Sequence, residues 1–208
     1  MHTLYYSPGS CSLIVHIVLE ELGVAFKLEK ADSKSTAYRT QVNPKGKVPA
    51  LGTPQGIITE CVAILEHLCD HHGGGKLLGK PGSWERAKAL ERIATLATEI
   101  HPLFNRFFHE DDFSPSKEVQ AGVKSRGTEK LLAWFSEQDA ALRGAYWSGN
   151  DAPDASDIYF MVMARWGRWL SPPANEMPNI RPFYERMIAR PAVAAAMQRE
   201  GLKAFGTT

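Results

Sequence analysis

The strongest constraint on the fold lies at the start of the chain. An extended pattern, Thr3-Leu4-Tyr5-Tyr6-Ser7, runs through Pro8-Gly9-Ser10 and Cys11 into a nearly unbroken apolar helix pattern, Leu13 to Leu22, which closes at Gly23. Phe26 and Leu28 then alternate with Lys27 and Glu29, the period of a second strand. A helix of about a dozen residues between two strands is the crossover that parallel strands need, and such crossovers are right-handed. The chain is therefore expected to open with a βαβ unit. The same order puts Cys11 on the first turn of a helix, where unpaired N–H groups and the helix dipole favour negative charge. A thiol so placed is a reactive group of lowered pKa, a neighbour of another bound thiolate, or a buried helix-start thiol without chemistry.

The pattern continues in kind up to about residue 72. A polar segment, Ala31 to Thr40, leads to a turn at Asn43-Pro44-Lys45-Gly46. Val48-Pro49-Ala50-Leu51 and Gly56-Ile57-Ile58-Thr59 read as two short strands joined at Thr53-Pro54-Gln55. Thr59-Glu60 then opens a helix carrying Val62, Ile64, Leu65 and Leu68, which ends near His71-His72. The order β-α-β-α-β-β-α is that of a thioredoxin-like domain. Gly73-Gly74-Gly75 and Pro81-Gly82 mark a break, after which the apolar period is helical throughout. The expected organisation is α/β followed by all-α: a thioredoxin-like domain over 1–75, a linker over 76–84 and an all-helical domain over 85–208.

Within the helical half, Ile93, Leu96, Ala97, Ile100, Phe104, Phe107 and Phe108 form one stripe, which Pro102 is expected to kink or break. Ser114-Pro115 reads as the cap and first residue of the next helix, with the stripe Val123, Gly127, Leu131, Trp134, Phe135 and Leu142. Asp154-Ala155-Ser156-Asp157 is a capping arrangement before the apolar run Ile158 to Leu170. Shorter helices are expected around 183–189 and 192–200.

With 208 residues the chain can bury one good core, or two small ones that share an interface. Lys plus Arg number 24 against 23 Asp plus Glu, so nothing in the charge balance suggests nucleic acid or an anionic membrane as a partner. Any anionic ligand must be held by local geometry. Three cysteines without paired metal spacing point to a reducing compartment and argue against a disulfide framework. No secretion signal is visible, and the longest apolar run, Leu13 to Leu19, is far too short to span a bilayer. A cytoplasmic protein is the expectation. His71-His72 read as a pair that complements the helix C-terminus, and no metal site is expected.

In a thioredoxin-like domain the first strand-to-helix turn, the segment before the third strand and the start of the third helix converge on one edge. Ser10-Cys11 lies on the first. Val48-Pro49 lies on the second: a cis bond there turns the Val48 N–H and C=O outward for an extended peptide, whereas a trans proline is only a strand edge. Glu60-Cys61 lies on the third, where helix-start N–H groups suit a carboxylate and Glu60 either meets a ligand ammonium or merely complements its own helix dipole. Together they describe a pocket for a short thiol-bearing peptide with a free α-amino acid end.

The stretches Tyr5-Tyr6-Ser7-Pro8-Gly9-Ser10-Cys11-Ser12-Leu13, Asn43-Pro44-Lys45-Gly46-Lys47-Val48-Pro49-Ala50-Leu51 and Thr59-Glu60-Cys61-Val62-Ala63-Ile64 closely resemble the soluble glutathione transferases, specifically the bacterial beta class. Thr98-Glu99-Ile100-His101, Asp154-Ala155-Ser156-Asp157 and Ala189-Arg190-Pro191-Ala192-Val193 extend the resemblance to essentially the whole chain. It implies a cytosolic homodimer, with glutathione as cosubstrate and a hydrophobic electrophile held by the helical half. It implies that Cys11 faces the glutathione sulfur, with Ser10 beside it. Val48, before a cis Pro49, binds the cysteinyl backbone. Glu60 and Cys61 hold the γ-glutamyl end, Lys34 approaches the glycine carboxylate, and His101 reaches across from the helical domain. By its spacing alone His101 sits on the edge of the apolar stripe, facing either core or cleft. Phe104, Phe107, Phe108 and Trp166 are the expected apolar walls.

Position 61 departs from the pattern: many relatives carry Ser or Gly where this chain has Cys, and a thiol is the poorer hydrogen-bond partner. Three functions are weighed. The first is conjugation of the glutathione thiolate to a carbon electrophile. The second is thiol–disulfide exchange through a Cys11 mixed disulfide, which lacks the second cysteine of a C-x-x-C pair and so is monothiol. The third is non-catalytic binding of hydrophobic ligands.

Overall fold

A computed structural model describes residues 1–205. They group into two compact units, one formed by Met1–Leu90 with Ile188–Ala204 and the other by Glu91–Met187 with Phe205. Among the described residues no helix is long and apolar enough to cross a membrane.

The first unit is built on a four-stranded sheet of order β2-β1-β3-β4, from β1 (His2–Tyr6), β2 (Phe26–Lys30), β3 (Ala50–Thr53) and β4 (Gly56–Thr59). β1 and β2 are parallel, in register from His2 opposite Phe26 to Tyr6 opposite Lys30. β3 runs antiparallel to both β1 and β4. Helix α1 (Ser12–Glu21) is the expected crossover, and its residues from Ser12 to Leu19 are all buried, as the unbroken apolar run requires. It stops because Gly23, at φ +64°, bends the chain so that the Gly23 and Val24 N–H groups cap the carbonyls of Glu20 and Leu19.

Helix α2 (Thr36–Gln41) lies inside the polar segment and is started by Ser35, whose hydroxyl accepts from the Tyr38 N–H at 3.1 Å. Helix α3 (Cys61–His72) follows β4 and packs against α1. Pro49, expected to open a strand, precedes it: the ladder begins at Ala50, because proline has no N–H to give it.

Two differences from the expected domain boundaries have one cause. The first turns of helix α4 (Trp84–Thr95) group with the first unit, where Arg86 is clamped between Asp70 (2.7 Å) and Glu66 (2.8 Å) of α3. Helix α9 (Pro191–Arg199) also returns to this unit, burying Val193, Ala196 and Met197 and packing on α1. The expected helical domain of 85–208 thus includes two stretches, 85–90 and 188–204, that group with the first unit.

The second unit is helical. After α4 comes a single π turn, Leu96–Ile100, then α5 (His101–Phe108). Pro102 does not break the helix. It removes the N–H that an α-helix would donate to residue 98, and the backbone widens by one π turn ahead of it. Helix α6 (Lys117–Ala141) starts two residues later than expected: its cap is Ser116, which accepts from the Val119 N–H at 3.4 Å. Ser114 lies outside the helix, its carbonyl taken by the Gln120 side chain at 2.8 Å. Gly127 lets α5 and α6 approach closely, since a Cβ there would lie 3.1 Å from the Arg106 Cβ.

Helix α7 (Ala155–Trp166) is buried from Ala155 to Arg165 and opens with the expected box. The Asp154 carboxylate accepts from the Ser156 and Asp157 N–H groups while Asp157 accepts from the Asp154 N–H. Helix α8 (Ile180–Ile188) completes the unit with Phe183, Tyr184 and Met187 in its core.

Candidate active site

The loop after β1 is fixed by its own side chains before it reaches Cys11. The Ser12 hydroxyl donates to the Ser7 carbonyl at 3.2 Å, and Ser10 Oγ and Ser12 Oγ lie 2.8 Å apart. The Gly9 N–H, in a residue at φ +69°, donates to Glu200 Oε2 at 2.8 Å. Cys11 is the cap residue of α1, and its half-buried thiol donates to the Val48 carbonyl at 3.3 Å.

The segment that carries Val48 is held from behind. Asn43, almost fully buried, donates to the Lys47 carbonyl at 2.8 Å, and Tyr38 Oη donates to the same oxygen at 2.9 Å. Burial pushes the Tyr38 phenol up to about 12, so it remains a donor at any working pH. Gly46, at φ +63°, closes the turn by donating to the Asn43 carbonyl at 2.8 Å. The Val48–Pro49 bond is cis, and among the described residues the Val48 N–H has no hydrogen-bond partner. A second cis bond, Ser171–Pro172, lies in the other unit.

The third stretch is the start of α3. Glu60 is its cap residue at φ +71°, a backbone conformation that side chains rarely adopt. Its side chain does not cap the helix but accepts from Lys45 Nζ at 2.8 Å, an exposed pair. Cys61 is buried, and its thiol donates to the Cys11 main-chain carbonyl oxygen at 3.7 Å. Interaction with the Cys11 side chain, burial and the nearby Cys11 and Glu60 charges push the Cys61 thiol well above the ordinary range.

Cys11, Val48 and Cys61 are thus brought together, with Ser10 and Glu60 on adjoining residues. Lys34 is exposed in the turn before α2, with no hydrogen bond among the described residues. Tyr38, Asn43 and Glu200 are the positioning residues that sequence reasoning missed. Asn43 sat in a recognised turn, but Tyr38 and Glu200 carried no local signal.

In the second unit, His101 is the first residue of α5, half-buried, with Nδ1 3.0 Å from Tyr159 Oη and its ring edge-on to Trp166 at 5.0 Å. Phe104 corrects an expectation. It is wholly buried, packed on Phe108, Phe135 and Trp166, and so backs the apolar surface instead of forming it. Phe107 and Trp166 are half-buried, and Phe108 is 38% exposed.

His72, expected only to serve its helix end, lies with its Nε2 3.1 Å from His2 Nε2, and the His67 ring lies tilted against His71 with centroids 4.2 Å apart. No group of three or more His, Cys, Asp or Glu among the described residues is arranged to hold a metal ion.

Residues 4–76 match the family model for the glutathione S-transferase N-terminal domain. The chain is 34% identical to the glutathione S-transferase GstA of Escherichia coli O157:H7 over 96% of this chain and 99% of that one. Among solved structures it is similar to the beta-class glutathione S-transferase of Sphingomonas chungbukensis, with TM-score 0.84 and 32% identity over 97% of this chain and 100% of that one. It is also similar to a sphingomonad glutathione S-transferase complexed with glutathione, with TM-score 0.83 and 34% identity over the same shares.

Proposed function

We propose a catalytic role for this chain, which belongs to the glutathione S-transferase family: it binds reduced glutathione in its first unit and transfers the glutathione sulfur to a hydrophobic electrophile. The observation that carries the reading is the meeting of the Cys11 thiol, the Val48 main chain and the start of α3 at one place.

Each group then has a task. The cysteinyl amide of glutathione pairs with the Val48 N–H and C=O as an added strand. In doing so it takes over the carbonyl that Cys11 Sγ now occupies, and the Cys11 thiol turns to the incoming sulfur. The γ-glutamyl carboxylate sits at the first-turn N–H groups of α3, at Cys61, and the ligand ammonium replaces Lys45 as the partner of Glu60. Lys34 meets the glycine carboxylate. With the cysteinyl sulfur at the amino end of α1, the helix dipole and the Ser10–Cys11 donors favour its thiolate. The thiolate attacks the electrophilic carbon and the leaving group departs, the gain coming from proximity and from charge stabilisation. The second unit is assigned the electrophile, through Phe107, Phe108 and Trp166, and His101 is assigned a proton or hydrogen bond to the reacting sulfur. The reading includes a cytosolic homodimer, which sedimentation at twice the 23.0 kDa chain mass checks.

Two measurements test it. Calorimetry with millimolar reduced glutathione is expected to saturate, and purified protein is expected to conjugate glutathione to an activated aryl halide. Absence of saturable heat ends the binding claim. Binding without turnover across electrophile classes ends the catalytic one.

A further inference from the structure

The sequence has no C-x-x-C pair, yet the fold supplies a second thiol to Cys11 from 50 residues away. Cys61 is the first residue of α3 and Cys11 the cap residue of α1, and the two helices pack against each other. The Cys61 thiol donates to the Cys11 main-chain carbonyl oxygen at 3.7 Å, and the two side chains lie near enough to interact. Neither residue is in a disulfide. Cys11 is half-buried, whereas Cys61 is buried. This is the asymmetry of a dithiol in which one sulfur meets the substrate and the other resolves the product.

We propose that Cys11 and Cys61 form a reversible intramolecular disulfide, which gives this protein a dithiol exchange activity toward low-molecular-weight disulfides that contain glutathione. The proposal rests on the glutathione site argued above. In the first step the Cys11 thiolate attacks one sulfur of oxidised glutathione. The S–S bond breaks, one glutathione leaves as its thiolate and takes up a proton, and Cys11 carries the other as a mixed disulfide. In the second step Cys61, having given up its proton, attacks the Cys11 sulfur. The bond from Cys11 to glutathione breaks, the second glutathione leaves and is protonated, and the bond from Cys11 to Cys61 remains. The two protein thiols have lost two electrons and two protons, and one oxidised glutathione has become two reduced ones. Two reduced glutathiones reverse the sequence.

The order of the steps follows from the environment of Cys61. Its proton is held by interaction with the Cys11 side chain, by burial and by the Cys11 charge, so it is no competitor for the first attack. Formation of the mixed disulfide removes the Cys11 charge and with it one cause that keeps the Cys61 thiol protonated. The second thiol is thereby released for attack only after the first has reacted.

The test uses the full chain, exposed to oxidised glutathione, quenched with acid and alkylated after unfolding. The expected result for the wild type is a fall from three alkylatable thiols to one, with a Cys11–Cys61 cross-linked peptide in a non-reducing digest. Cys61→Ser is expected to stop at one glutathionyl adduct on Cys11, and Cys11→Ser to take up none. The wild-type peptide map decides the matter even if a variant fails to fold. A lasting adduct on wild-type Cys11, a bridge to Cys69, or three unmodified thiols overturns the proposal. Calorimetry of the wild type with reduced glutathione separates the two readings. Saturable binding without a bridge rejects the dithiol alone, and no binding rejects the glutathione site on which it rests.

Discussion

Glu200 lies 184 residues from His16 in sequence, yet its Oε1 is 2.8 Å from His16 Nδ1 inside the first unit, while its Oε2 accepts the Gly9 N–H at 2.8 Å. His16 is fully buried and Glu200 6% exposed, so one carboxylate fixes both the interior of α1 and the loop that delivers Cys11. Truncation takes the carboxylate away from the fully buried His16 Nδ1 and removes an acceptor of the Gly9 N–H. Glu200→Ala is therefore expected to cost about 3 kcal/mol in urea unfolding, with Glu200→Gln costing less because the amide oxygen still accepts one bond. If the alanine variant unfolds within 0.5 kcal/mol of wild type (about the noise of a surface substitution), the clamp contributes nothing. At the position proposed as catalytic, Cys11→Ala is expected to lower kcat/KM for conjugation by about tenfold or more, the order set by one lost hydrogen bond to a charged sulfur. Steady-state kinetics with glutathione varied checks it. Neither Glu200 nor His16 stood out in the sequence, because a polar residue on an apolar helix tells nothing of a partner so distant along the chain. Cys11 did stand out, because a strand–turn–helix order is local.

At the scale of elements, the start of α7 is fixed by a reciprocal capping box. Asp154 also receives Arg92 Nη2 at 2.6 Å, while Ser156 receives Arg92 Nε at 2.8 Å. Asp154→Ala is expected to cost about 2 kcal/mol, the upper end for a lost cap, measured by thermal or urea unfolding. Asp157 adds a pH dependence. Burial and the neighbouring Asp154 carboxylate push its carboxyl up to about 6, from an ordinary value of 3.8. The folded state therefore holds a proton that the unfolded state releases. The associated stability is present below the ordinary value and is lost as pH rises through about 6, with a span of about 3 kcal/mol. The stability of wild type minus that of Asp157→Asn is expected to fall between about pH 4 and pH 6 and to stay flat above. A difference that rises over that window refutes the burial argument. Gly167, at the end of α7, tests packing instead. A Cβ there would sit 2.5 Å from the Ala174 Cβ and 3.2 Å from Phe135, so Gly167→Ala is expected to destabilise by about 1–3 kcal/mol in thermal unfolding.

At the scale of the molecule, the last helix belongs to the unit that contains the first. Val193 and Met197 of α9 are buried there, each contributing about 1.5–3 kcal/mol, and Arg190 grips Glu21 of α1 through bonds of 2.6 and 2.9 Å. A chain ended after Met187 is expected to lose most hydrogen-exchange protection along α1, since this sum is a large part of the stability of an ordinary domain. Protection that survives the truncation shows that 1–90 folds without its C-terminal cover. This closure explains why a boundary read from the glycine-rich break at 73–75 divides the sequence but not the packing. Glycines report where the chain turns and not which surfaces later meet.

The sequence by itself determined what depends on neighbours along the chain. It specified the βαβ opening from an apolar crossover, the stop at Gly23, the hairpin of β3 and β4 and the capping box before α7. Each follows from short-range sterics and hydrogen bonding. Only the tertiary structure decided what depends on distant surfaces meeting. It buried Phe104 behind its neighbours, returned α9 to α1, set Glu200 under Gly9 and turned Cys61 toward Cys11. Those outcomes come from the packing of apolar faces that carry no address in one dimension, and the chemistry proposed for the two thiols exists only because that packing brings them together.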